Sequence, residues 1–173
     1  SCTEVNMLTQ TKKRLFDEDK SEYTLRSLNS LIKSINLAKK KFSKIEFNLI
    51  IIDYISKKND IEKIKKLLDS SNIKNRFISL NIDEFKSNIK KVNEKNNQLS
   101  INQMSNMFNI YKSFLLAKKE CKDLAYFVED DYLHQKETIS EMILTYERVS
   151  SQINRDLLLC PTDYPYLYTK LDT

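Results

Sequence analysis

Three adjacent carboxylates, Glu129, Asp130 and Asp131, follow the apolar run Leu124 to Val128 in "DLAYFVEDDYLH". Like charges held together repel and raise one another's pKa, so a fold that gathers them normally supplies a cation or uses the perturbed acid. The plain alternative is a solvated turn after a strand. A further carboxylate, Asp53, closes another apolar run, "IEFNLIIID". If both runs are strands of one parallel sheet, these acids meet at its carboxyl edge, where open α/β sheets bind ligands. Acids drawn from two strand ends suit a hard divalent cation, Mg2+ or Mn2+, which takes oxygen ligands and leaves positions open for phosphate. His134, the only histidine, stands three residues beyond Asp131. From a helix start it is placed to ligate the metal or bind diphosphate, or simply to face solvent.

The elements that must position these residues alternate in type. "EVNMLT" (4–9) reads as a strand ending at Thr9 and Gln10. Leu25, Leu28, Leu31, Ile32, Ile35 and Ala38 recur at helical spacing over 23–42, and 45–53 is apolar enough for a strand buried on both faces. A helix over 59–71 capped by Asn59 or Asp60 follows, then a strand over 75–82 and a polar, partly helical connection over 83–97. A long helix over 99–120 leads into a strand over 124–129. A helix over 136–151 leads into a strand over 155–160, with Pro161 to Asp163 beyond its end. Strands alternating with amphipathic helices predict an α/β fold with a mainly parallel sheet flanked by helices.

Composition narrows the chemistry. The 173 residues suit one domain, and 40% hydrophobic with 31% charged residues is a globular balance. There is no glycine, which excludes both the G-x-G-x-x-G and P-loop phosphate cradles and the G-x-S-x-G elbow, since each needs backbone that only glycine allows. A net charge of +5 spread along helices favours anions in general without demanding a nucleic-acid partner. Cys2, Cys121 and Cys160 lack metal-ligand spacing and read as buried free thiols of a reducing compartment. No apolar run reaches the roughly 18 residues of a membrane helix, and the first residues lack the order of a secretory signal. The expectation is a cytoplasmic protein without an integral membrane segment, with room for peripheral membrane contact.

Read in order, "LTQTKKR", "LIIIDYIS", "MSNMFNIYKSFLLAK" and "YFVEDDY" resemble the GT-A-type, family-2-like glycosyltransferases. The similarity is closer to an uncharacterised subgroup with "EDDYLH" and a "DYP" turn after the next strand. It covers roughly residues 3 to 165 and rests on element order more than on any one motif. The resemblance implies a Rossmann-like nucleotide-diphospho-sugar transferase fold and a donor linked to UDP, GDP or CDP, with an unidentified glycan, lipid or protein acceptor. It assigns Asp53 to the base or ribose, Glu129 or Asp130 to the ribose, and Asp131 to the Mn2+ or Mg2+ that bridges the diphosphate. Thr9, Gln10 and Arg14 match the nucleotide-contacting loop after the first strand. Ser56 follows Asp53 in a D-x-x-S pattern and reads as a turn cap. Asn106 and Asn109 stand where related enzymes carry Arg-Asn, although their apolar neighbours read as core.

The pattern departs from the family after the acidic motif. Inverting members take a catalytic base from a later segment. Here that segment is either compressed into "CPTDYPYLY" or absent from the single domain 1–173, and Asp163 is the candidate base, with a turn residue between Pro161 and Pro165 as the plainer reading. Tyr164, Tyr166 and Tyr168 share a face if extended, suited to an acceptor groove or an interface. A non-catalytic glycosyltransferase-like binding or assembly module is the competing class. Two-metal phosphoryl transfer lacks a nucleophilic Asp early in the chain, and a phospho-acceptor receiver domain would carry acids where Thr9 and Gln10 stand.

Overall fold

A computed structural model describes residues 18–85 and 101–161. The expected strand over 4–9, most of the connection over 83–97, Cys2 and the three C-terminal tyrosines lie outside these residues. Helix α1, Lys20–Lys41, buries Leu28, Leu31, Ile32, Ile35 and Ala38. Glu22 in its first turn and Lys39, Lys40 and Lys41 in its last complement the helix dipole. Strand β1, Asn48–Asp53, starts three residues later than its apolar run, because Ile45 is exposed and leads in as a turn. Helix α2, Lys58–Asp69, crosses over and returns the chain to strand β2, Lys74–Ser79. Since the helix begins at Lys58, Asp60 is a buried first-turn residue and not the expected cap.

The two strands pair in parallel, from Asn48 opposite Lys74 to Asp53 opposite Ser79. A short 3-10 turn, Ile82–Phe85, follows β2. Helix α3, Ile101–Glu120, and helix α4, Thr138–Ile153, complete the described elements. The result is an α/β arrangement with a small parallel sheet, compatible with a Rossmann-like fold. One core joins α1 to Leu49, Ile64, Leu68, Ile73 and Ile139. A smaller one sits near the carboxyl end of β1, where Leu80 and Phe108 pack with Ile52, Tyr54 and Met104.

Among the described residues the sheet has two strands, so the strands expected over 124–129 and 155–160 are not formed. A strand needs a ladder partner for its backbone groups, and neither apolar run has one here. Their side chains are exposed accordingly: Leu124, Tyr126, Phe127 and Val128 all face solvent in part, and Leu158 is 99% exposed. Cys121 and Cys160, expected as buried thiols beside strands, are exposed for the same reason. No helix among the described residues is long and apolar enough to cross a membrane.

A chain without glycine must use other residues wherever the backbone turns left-handed. Among the described residues these are Ile55, Asn72 and Asn154, with φ of 49°, 54° and 51°. Asn tolerates this region through its short polar side chain, whereas a β-branched residue there is a steric outlier. Asn154 forms the C-cap of α4. Ile55 sits two residues after Asp53, the last residue of β1, and one before Ser56.

Candidate functional site

Asp53 ends β1 as expected, and its side chain is nearly inaccessible, at 2% exposure. The Ser56 backbone N–H donates to Asp53 Oδ2 at 3.2 Å and the Ser56 hydroxyl donates to Oδ1 at 2.5 Å. The D-x-x-S spacing therefore closes the turn that contains strained Ile55. Leu80 N–H donates to the Asp53 carbonyl at 2.7 Å, which ties this turn to the end of β2. Asp53 is first of all the structural lock of the sheet's carboxyl edge.

The acidic residues are held by a different element. Asp130 and Asp131 form a turn, with Glu129 and Asp131 exposed and Asp130 half-buried. Asp130 Oδ1 lies 3.8 Å from Lys20 Nζ, and Thr24 Oγ1 donates to Asp130 Oδ2 at 3.5 Å. Both contacts are long and contribute little alone. Shorter bonds follow along the same face of α1. Ser27 Oγ donates to the Tyr132 carbonyl at 2.6 Å, Ser30 Oγ accepts the His134 N–H at 2.9 Å, and Ser34 Oγ accepts the Ile139 N–H at 3.0 Å. Thr24, Ser27 and Ser34 are buried. A row of hydroxyls on α1 thus stitches residues 130 to 139 in place and supplies α4 with the N-terminal cap that Glu137 does not give.

This row was legible only as spacing. Thr24, Ser27, Ser30 and Ser34 recur every three or four residues, which places them on one helix face. Apolar periodicity, the usual guide to a buried face, passes over serines because a mid-helix hydroxyl more often bonds its own helix. Ser30 does both, since its hydroxyl also donates to the Ser27 carbonyl at 2.7 Å.

His134 is engaged on one ring nitrogen, with Tyr126 Oη and His134 Nε2 3.0 Å apart and the rings edge to face. Its Nδ1 is buried without a hydrogen-bond partner among the described residues. Burial lowers the imidazole pKa below 6.5, partly opposed by the Tyr132 carbonyl. Burial also raises the Tyr126 phenol above its usual value, with the nearby Cys160 thiol adding to the effect. A cation reaching this ring would have to displace the Tyr126 hydroxyl from Nε2.

Among the described residues no three of His, Cys, Asp and Glu converge as a metal-holding group. Asn109 Oδ1, on the helix that packs against β1, is buried without a partner among the described residues, while Asn106 is exposed. Thr9, Gln10, Arg14 and Asp163 lie outside the described residues. No family model matches the chain, and neither curated proteins nor solved structures return a match.

Proposed function

We propose that this chain is a GT-A-type, metal-dependent glycosyltransferase domain that moves a sugar from a nucleotide-diphosphate donor to an acceptor, working in the cytoplasm. The observation that carries the proposal is the carboxyl edge of the parallel pair. There β1 ends in a buried, hydrogen-bonded Asp53; elsewhere, a turn whose flanking backbone is bonded to α1 holds Glu129 and Asp131 exposed. A carboxylate oxygen can accept more than one hydrogen bond, so the bonds from Ser56 do not by themselves bar Asp53 from a base or ribose donor. Glu129, exposed, is the ribose-side acid, and Thr9, Gln10 and Arg14 would complete the nucleotide contacts.

Mg2+ or Mn2+ can be held by one or two carboxylates together with substrate phosphates, so this reading requires no three-residue metal group among the described residues. Asp131 is the residue to hold such a cation, with His134 beside it only if Tyr126 yields. When bound, the cation supplies Lewis-acid stabilisation of the departing diphosphate. The chain's own residues orient the nucleotide and keep the acidic turn fixed, and Asp163 is the candidate for taking the acceptor's proton.

A second reading, a non-catalytic binding or assembly module of the same fold, is favoured by the exposed apolar row of Leu124, Tyr126, Phe127 and Val128. Phe127 packs against exposed Phe114 of α3 with ring centroids 4.8 Å apart and the rings tilted by 56°. Calorimetry with UDP-, GDP- and CDP-sugars, each with and without Mn2+, separates the two. The transferase reading expects metal-dependent binding of one donor class, with Asp131→Ala removing the metal dependence and Asp53→Ala mainly weakening nucleotide affinity. Absence of metal-dependent binding across the panel supports the module, and the reverse mutant pattern overturns the assigned roles.

A further inference from the structure

Lysines scattered along the sequence are gathered by the fold. In a parallel βαβ unit the end of the crossover helix and the starts of the strands share one edge of the sheet, the amino edge. Three stretches come to that edge: the end of α1 with the turn after it (39–46), the end of α2 with the start of β2 (66–74), and the end of α3 with the turn after it (117–124). Lys39 Nζ donates to the Asn72 carbonyl at 2.5 Å, which joins the first stretch to the second. Arg76 Nη2 donates to both Glu120 carboxylate oxygens, at 2.9 and 2.8 Å, which joins β2 to the third. Together the three stretches hold nine lysines and four acids, a net +5 that equals the formal charge of the whole chain, so the remaining residues sum to zero. Lys40, Lys41, Lys44, Lys74, Lys119 and Lys122 are exposed and make no ion pair among the described residues.

Two apolar side chains stand exposed among these lysines, Ile45 in the turn after α1 and Leu124 in the turn after α3. Lysine is a strongly hydrated point charge suited to a diffuse anionic surface, whereas nucleic-acid binding favours arginine forks and rings on which bases stack. The arginine at this edge, Arg76, is taken by Glu120, and the one aromatic residue of the three stretches, Phe42, packs against the main core. From this we infer that the amino edge docks on the surface of an anionic lipid bilayer, with the lysines at the headgroups and Ile45 and Leu124 entering the interface. A lysine near such a surface contributes about fivefold to binding. The two apolar side chains add a part that salt does not screen. Docking by this edge turns the opposite edge, where Asp53 ends β1, toward water. No nucleotide, metal or acceptor is needed for it, so it stands apart from the transferase reading.

Co-sedimentation of the full chain with vesicles is the test, with pure phosphatidylcholine and with phosphatidylcholine carrying about 30% phosphatidylserine, each at about 0.05 M and about 0.5 M salt. Binding is expected only with phosphatidylserine, and it should weaken at least about tenfold at the higher salt. Lys40→Gln, Lys41→Gln and Lys44→Gln combined should weaken it at least about thirtyfold. Lys33→Gln, Lys58→Gln and Lys63→Gln remove the same charge from exposed positions outside the three stretches and should keep binding within about threefold of wild type. Ile45→Ser with Leu124→Ser should remove the binding that survives at the higher salt. Equal binding to the two kinds of vesicle, or equal losses in the two lysine triples, overturns the inference. So does release of the protein from phosphatidylserine vesicles by a DNA duplex of about 20 base pairs at matched phosphate concentration, which would make this edge a nucleic-acid surface.

Discussion

Replacing Ile55 by Gly and by Ala tests the account of the turn that presents Asp53. Both substitutions remove the same partly buried side chain, which is 58% exposed, so the lost burial cancels between them. What differs is the backbone. At φ 49° a residue with Cβ carries roughly 1–2 kcal/mol of steric cost, which Gly does not pay. Gly in turn loses about 0.5–1 kcal/mol more than Ala to unfolded-state freedom. The difference leaves Ile55→Gly more stable than Ile55→Ala by about 0.5–1 kcal/mol, or roughly 2 °C in Tm for a chain of this size. The sign is the decisive part, because in an ordinary helix position it reverses. At Lys66, exposed within α2, Lys66→Ala should exceed Lys66→Gly by about 1 kcal/mol. Urea unfolding of the four variants, compared at constant m-value, reads both pairs. If Ile55→Ala proves more stable than Ile55→Gly, the left-handed turn beside Asp53 is not the structure adopted, and the D-x-x-S lock fails with it.

Three further outcomes follow from single contacts. Ser34→Ala strips the Ile139 N–H of its acceptor in a fully buried position and should cost about 1–3 kcal/mol in urea unfolding; a change near zero would mean that α4 is capped some other way. Leu68→Ala, at 1% exposure in the main core, should cost about 2–5 kcal/mol, and a loss below 1 kcal/mol would place α2 off the core. His134 has its folded pKa lowered, so the unfolded chain takes up the proton first as pH falls. Its contribution to stability is therefore complete above the unfolded value of 6.5 and declines as pH drops from there toward the lower folded value. Thermal melts from pH 7.5 to 5 should show a shallower decline in His134→Gln than in wild type, and parallel curves would refute the buried imidazole.

What was legible in the sequence is what local periodicity encodes. The helices over 20–41, 58–69, 101–120 and 138–153 fall within a few residues of where Leu28 to Ala38, Ile64 and Leu68, Phe108, and Ile139 to Val149 recur. The β1–α2–β2 unit was readable because the continuous run ending at Asp53 has a partner of similar composition close by. The runs at 124–129 and 155–160 have the same composition, but strand formation is a property of pairs, and apolar residues without a ladder stay extended and exposed. At the site, Asp53 was visible as a strand end, while its engagement with Ser56 came as a turn cap in a D-x-x-S pattern. The hydroxyl row of α1 was not read, because nothing local says that a helix serine bonds a backbone about a hundred residues away. His134 was read as a metal or diphosphate ligand or else a solvent-facing residue, and its pairing with Tyr126 depends on that same long-range docking.

The central claim is that Asp131 holds a divalent cation only together with a nucleotide diphosphate. Electron paramagnetic resonance of Mn2+ measures this directly, since the signal of free Mn2+ falls as the ion is bound. The account predicts little loss of free Mn2+ with protein alone, a clear loss when UDP, GDP or CDP is added beyond what the nucleotide itself binds, and no such added loss with Asp131→Ala. An equal added loss in Asp131→Ala, or none in wild type with any of the three nucleotides, would contradict it.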